Sequence, residues 1–262
     1  MVIKGDQKYT QLVNYLKQLG NAALAFSGGV DSTFLLKASV DALGDKVLAI
    51  TVNSPYIPDW EIDEAKKIAV QFGVRHIILE APLSDQIINN PTDRCYLCKT
   101  FVFSRLRGVA KEHGFTNIID GTNSEDSEDE RPGMKALREL DVKSPLKETG
   151  FTKKDIRRYS WINNLPTWDK PAYACLLTRI PYNNPVEKDN LRRIEKAEKF
   201  LIDLGIRSVR VRVHDDLARI ETEPSLINKI FQENLMEKIS GELKSYGFKY
   251  VTLDLEGYRP TN

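Results

Sequence analysis

The stretch that most constrains this chain is Phe26-Ser27-Gly28-Gly29-Val30-Asp31-Ser32. The apolar run Ala22 to Phe26 reads as a buried strand. Two glycines end it, and apolar residues then recur at helical spacing through Val30, Phe34, Leu35, Ala38 and Leu43. Strand, glycine turn and helix N-terminus in immediate succession aim several backbone N–H groups at one point, with the positive end of the helix dipole behind them, which makes an anion site. The glycines let backbone approach the anion with no Cβ in the way. Ser27 and Ser32 add hydroxyl donors, and the carboxylate of Asp31 suits a magnesium ion. No Gly-Lys-Ser/Thr follows, so this is not a Walker loop, and the Gly-x-Gly-x-x-Gly spacing of a dinucleotide fold is absent.

The flanking sequence repeats one grammar: helix, glycine, strand. Helices are expected over 8–19, 60–72 and 97–113, closed by Gly20, Gly73 and Gly114, with strands over 47–52, 74–79 and 118–119. This alternation predicts an α/β fold with a parallel sheet and helices on both faces. Gly121-Thr122-Asn123 follows a strand end, where ligands of open α/β sheets collect, so Asp126 in the acidic loop 124–130 is a candidate to face a nucleotide. Lys153, Lys154, Arg157 and Arg158, on a helix over 153–161, read as a solvated face. From Pro185 the grammar changes to a charged helix over 189–204, an alternating strand (Val209, Val211, Val213), a strand over 218–222, a helix over 224–246 and a strand over 250–255. The segments 201–206 and 243–248 look like two copies of one helix-to-strand unit. The expected domains are therefore 1–183 and a smaller α/β domain, 184–262.

The chain of 262 residues has room for a large core, and its net charge of +1 offers no broad basic surface for long RNA. It has no apolar run of about 18 residues and no signal-peptide h-region at its start, so a soluble, cytoplasmic protein with neither membrane nor nucleic-acid partner is expected. The three cysteines argue against a disulfide framework. Cys95 and Cys98 form a Cys-x-x-Cys where a loop enters a helix, beside Arg94 and Lys99, surroundings that favour thiolate. Cys175 lies far off, between Ala174 and Leu176. Redox, zinc and iron-sulfur readings all apply to the pair. A redox role lacks its thioredoxin-like context, and His76, His113 and His214 have no obvious spacing for completing a zinc site. Three cysteine ligands suit a 4Fe-4S cluster with one open iron.

The Ser-Gly-Gly-Val-Asp-Ser string resembles the pyrophosphate (PP) loop of the ATP pyrophosphatase superfamily, which implies ATP cleavage between the α and β phosphates. That loop, Cys95-Tyr96-Leu97-Cys98-Lys99, Gly121-Thr122-Asn123, Ser144-Pro145-Leu146 and Ala174-Cys175-Leu176-Leu177-Thr178-Arg179-Ile180-Pro181-Tyr182 together resemble the LarE family over nearly the whole chain. The resemblance implies an adenine nucleotide α-hydrolase-like domain and an ATP-dependent sulfurtransferase that thiolates pyridinium-3,5-biscarboxylic acid mononucleotide for the nickel-pincer nucleotide cofactor. Ser27, Gly28, Gly29, Val30, Asp31, Ser32, Gly121, Thr122 and Asn123 would bind ATP and Mg2+. Cys95, Cys98 and Cys175 would hold a 4Fe-4S cluster as sulfide carrier, or Cys175 alone would give up its sulfur and become dehydroalanine. Arg179 would touch the acyl group, and Arg210 and Arg212, on one strand face, would hold the substrate phosphate with support from Glu221 and Glu223. Trp168 and Tyr173 are candidates to stack on the pyridinium ring. A sulfide source such as a cysteine desulfurase and a homo-oligomeric assembly are the expected partners. A tRNA thiolase with a PP loop is the nearest rival, and the charge balance argues against it.

Overall fold

The computed structural model describes residues 6–126, 132–231 and 235–258. Residues 127–131 of the acidic loop and its turn, and 232–234 in the helix expected over 224–246, lie outside the described residues. The chain forms two compact units, Met1–Ser84 with Asp93–Lys170, and Asp85–Thr92 with Pro171–Asn262.

The first unit runs α1 (Gln7–Leu19), β1 (Ala22–Ala25), α2 (Val30–Leu43), β2 (Val47–Asn53), α3 (Asp59–Gln71), β3 (Arg75–Glu80), α4 (Arg94–Glu112), β4 (Ile118–Ile119), α5 (Pro132–Glu139), α6 (Pro145–Glu148) and α7 (Lys153–Ile162). Its four strands are all parallel, in the order β3-β2-β1-β4. Side chains alternate across a strand, and the alternation divides the core cleanly. Ala22, Leu24, Val47, Ala49 and Ile119 pack with residues of α1, α2, α3 and α7. Ala23, Leu48, Ile50 and Ile118 pack with Leu106 and Ala110 of α4. The expected parallel sheet with helices on both faces is what forms.

This division follows from the hand of parallel crossovers. The chain steps outward from β1 to β2 to β3 with α2 and α3 on one face, and it returns past β1 to β4 only by placing α4 on the other. Connections therefore leave β1 and β4 in opposite directions. That is a topological switch point, where open α/β sheets form their ligand crevice at the strands' C-terminal ends.

The second unit holds α8 (Lys188–Asp203), β5 (Val209–His214), β6 (Leu217–Thr222), α9 (Pro224–Phe231), α10 (Leu235–Ser245) and β7 (Tyr250–Leu253). β5 and β6 pair antiparallel, β6 and β7 parallel, in a three-stranded sheet. Val209, Val211 and Val213 are buried as their alternation requires. The two similar segments close with the same backbone pattern. Gly205 N–H donates to Ile202 O and Ile206 N–H to Leu201 O, while Gly247 and Phe248 donate to Lys244 O and Leu243 O. Both are Schellman caps, for which glycine supplies the left-handed residue. Among the described residues no helix is long and apolar enough to cross a membrane.

Candidate functional site

The PP loop lies at the C-terminal end of β1. Gly29 is the N-cap of α2 and makes no side-chain cap, so the first N–H groups of the helix are left for a ligand. Gly28 has φ +69°, and a Cβ there would stand 3.1 Å from Cα and Cβ of Ala65 on α3. Both facts demand glycine. Val30 is buried in the core and offers only its backbone. The hydroxyls of Ser27 and Ser32 lie 3.1 Å apart, and Gly29 N–H points to Ser27 Oγ at 3.3 Å. Lys153 Nζ donates to Asp31 Oδ2. Asp31 Oδ1 is buried with no hydrogen-bond partner. A buried, unpartnered carboxylate oxygen beside a helix N-terminus fits a magnesium ion carried in with a nucleotide.

The segment after β4 abuts this loop. A Cβ on Gly121 would meet Ser32 N at 3.1 Å and Ser32 Cα at 3.3 Å, so glycine lets the two switch-point loops touch without either giving way. Thr122 and Asn123 are buried beside it. Asp120 organises the turn, accepting from Thr122 Oγ1 at 2.5 Å, Thr122 N–H at 3.3 Å and Ser144 Oγ at 2.7 Å. Asp126 Oδ2 accepts from Asn123 N–H at 3.0 Å, which ties it to the turn.

Cys95 and Cys98 sit in the first turn of α4, which starts at Arg94, earlier than expected. Cys95 is exposed and Cys98 half-buried, with its sulfur 3.2 Å from Tyr56 Oη. The expectation of thiolate is reversed at Cys98, since burial pushes its thiol above the ordinary value and outweighs the Tyr56 hydrogen bond and the charge of Lys99. Two thiols three residues apart on one helix match a cluster by donor type. Among the described residues, however, no group of three or more His, Cys, Asp or Glu side chains is gathered to hold a metal.

Cys175, Arg179, Arg210 and Arg212 all belong to the second unit. Cys175 is the N-cap of a 3-10 turn, Leu176–Arg179, and its carbonyl accepts from Thr178 N–H at 3.1 Å and Thr178 Oγ1 at 3.0 Å. Arg179 is 1% exposed. Its guanidinium forks onto Glu198 at 2.8 and 2.9 Å and donates to Ala174 O at 2.9 Å and Thr178 Oγ1 at 2.7 Å. A side chain this enclosed braces the Cys175 turn from within. Arg210 and Arg212 share a face of β5 as expected. Arg212 donates to Glu221 Oε1 and, at 2.8 Å, to Thr178 O. Arg210 lies 4.4 Å over the Tyr258 ring and donates to its hydroxyl. Arg219 on β6 joins Glu221 at 2.9 Å. Thr178 thus docks the cysteine turn on an arginine face. Tyr173 Oη donates to Arg207 O at 2.9 Å, and Trp168 is 44% exposed.

Sequence reading missed several of these residues. Lys153, taken for a solvated helix face, reaches Asp31 because Phe34, Phe151 and Tyr159 stack α7 against α2, with ring centroids 5.3 to 5.8 Å apart. Arg157 of the same helix binds the carbonyls of Trp168 and Lys170. Asn90, fully buried with φ +48°, donates through Nδ2 to Ile180 O at 2.8 Å and Pro181 O at 3.0 Å and so holds the stretch after Cys175. An asparagine in a polar loop gives no sign of this beyond its tolerance of left-handed backbone.

Comparison with known proteins agrees with this geometry. A family model described as "Queuosine biosynthesis protein QueC" matches residues 21–94, which include the loop. An argininosuccinate synthase of Haloarcula marismortui is 26% identical over 56% of this chain and 38% of its own length. An uncharacterized protein of Synechocystis is 38% identical over 97% of this chain and 96% of its own. The pyridinium-3,5-bisthiocarboxylic acid mononucleotide synthase of Lactiplantibacillus plantarum is 39% identical over 96% of this chain and 92% of its own. The match spans nearly the whole of both chains, and so this chain belongs to the family of that synthase, the LarE family.

Proposed function

We propose that this protein uses ATP to adenylate a carboxylate of pyridinium-3,5-biscarboxylic acid mononucleotide and then replaces AMP by sulfur, giving the thiocarboxylate. The observation that carries the reading is the meeting of the PP loop and Gly121 at the switch point, next to Asp31, whose Oδ1 has no hydrogen-bond partner. Ser27, Gly28, Gly29, Val30 and Ser32 hold the phosphates, Asp31 holds Mg2+, and Gly121, Thr122 and Asn123 border the nucleotide. A carboxylate oxygen attacks the α-phosphorus, the bond to the bridging oxygen breaks, and pyrophosphate leaves. The loop N–H groups and the dipole of α2 stabilise the charge on it. A sulfur nucleophile then attacks the acyl carbon, a C–S bond forms, and AMP departs with the C–O electron pair.

Residues 1–183 carry the ATP chemistry in this proposal, and 184–262 bind the substrate phosphate through Arg210 and Arg212 and support assembly into a homo-oligomer. A 4Fe-4S cluster on Cys95, Cys98 and Cys175 would supply sulfide at its open iron. A second reading makes Cys175 itself the donor, and it is favoured by the docking of the Cys175 turn on the arginine face through Thr178. The acyl carbon then takes the Cys175 sulfur as a thioester, and loss of the Cα proton with cleavage of Cβ–S leaves dehydroalanine and thiocarboxylate.

The test is to incubate oxygen-free protein with ATP, Mg2+ and the dicarboxylate mononucleotide. Pyrophosphate and AMP released in step with thiocarboxylate are expected. Pyrophosphate release that ignores the dicarboxylate would overturn the proposal. Iron content, and the mass of the Cys175 peptide after turnover, separate the two sulfur sources.

A further inference from the structure

Lys170 is 8% exposed, which is unusual for a lysine. Its ammonium donates to Glu64 Oε2 at 2.6 Å and to the carbonyl of Gly28 at 3.3 Å, and it lies 5.9 Å over the Trp60 ring. Its backbone is fixed as well, because Arg157 holds Lys170 O at 2.9 Å and Trp168 O at 2.7 Å.

From these contacts we infer that Lys170 is a positioning residue that sets the orientation of the Gly28–Gly29 peptide and thereby forms the anion cradle. In a trans peptide the carbonyl and the N–H point in opposite directions. Holding Gly28 O outward against the ammonium therefore turns Gly29 N–H inward, toward Ser27 Oγ and the N-terminus of α2. Two glycines in succession have no side chain to resist a peptide flip. A flipped peptide would put a carbonyl oxygen where an anion is meant to bind, and the cradle would repel its ligand. Lys170 does this from behind the loop. Its ammonium holds Gly28 and Glu64, and in this role it acts on phosphate through the peptide that it holds.

The inference rests on the loop's being the ATP site, and its test separates the two ideas by comparing ATP with AMP. Binding of Mg-ATP and of AMP is measured on the intact protein and on Lys170→Met. Loss of a charge-assisted hydrogen bond should weaken ATP about tenfold or more, while AMP, which lacks the β and γ phosphates that become the pyrophosphate, loses far less. Lys170→Gln, neutral but still a donor, should fall between the two and carries the comparison if Met at 170 unfolds the chain. Amide exchange at Gly29 and Val30 should quicken in both variants while the core of α2 stays protected. Equal loss of ATP and AMP binding, or no change in their ratio, would overturn the role of Lys170 and leave the ATP site standing. Failure of the unsubstituted protein to bind ATP would overturn both.

Discussion

The loop at residues 27–32 and the arginine face of β5 and β6, the two anion sites of the proposed function, are built from opposite materials. The loop is backbone: N–H groups at the start of α2, glycines that admit close approach, and little net side-chain charge, since Asp31 and Lys153 pair. The arginine face is side chain. Arg210, Arg212 and Arg219 are held in place by Tyr258, Glu221, Asp254 and Thr178. A backbone site fails when an atom is added to it, and a side-chain site fails when a charge is removed.

The largest effect is expected on the stability of the second unit. Glu198 is 1% exposed, forks onto Arg179 and also accepts from Val211 N–H at 2.9 Å. Glu198→Ala leaves a buried guanidinium without its counter-charge, at a cost of about 3–5 kcal/mol read by urea unfolding. A loss under about 1 kcal/mol would mean that the buried Arg179 does not need its carboxylate. Next is Gly28→Ala, which places a Cβ against Ala65 on left-handed backbone. Strain of about 1–3 kcal/mol should weaken ATP binding by roughly tenfold to a hundredfold, with the unfolding of the second unit unchanged. Unaltered ATP affinity in that variant would break the contrast between the two sites.

Arg212→Ala should raise the KM for the nucleotide dicarboxylate about tenfold and spare ATP. Added salt should weaken acceptor binding in the parent protein, and less so in this variant. If KM for ATP rises instead, the division between the two sites is wrong. The smallest effect concerns the support under the loop. His76 Nε2 meets Thr51 Oγ1 at 2.8 Å, and that hydroxyl donates to Phe26 O at 2.7 Å. Burial, with Lys66 nearby, holds His76 below its ordinary value of 6.5. The fold keeps the neutral ring, so this contribution is complete above the unfolded value and is lost as pH falls through the lower folded one. His76→Gln should flatten the fall of stability on acidification below 6.5, and an unchanged slope in a pH series of melting curves would assign the fall to other groups.

The sheet was legible because its signals are local. Gly73 and Gly114 cap α3 and α4, β1 is a continuous apolar run and β2 opens with one over Val47 to Ile50, and the loop string sits where it should between strand and helix. Arg210 and Arg212 were placed on one face by period two alone. The sequence says least where a long side chain leaves its own element. Lys153 and Arg157 look like any solvated helix face until α7 is packed on α2. Arg179 follows a cysteine closely in sequence, yet its guanidinium turns to Glu198, nineteen positions away. At Cys98 the nearby positive charges were visible and the burial was not.

The sequence by itself determined the strand-glycine-helix cradle, the alternation that makes a parallel sheet, and the valine-arginine strand, because each depends only on neighbours within a turn or a pleat. Tertiary structure decided that Gly121 lies against Ser32 at the switch point, that Lys170 reaches Gly28 across 142 positions, and that Arg179 is an internal strut. Those contacts depend on which face of the sheet each crossover takes and on how long side chains escape burial unpaired, and neither is written in any short window of residues.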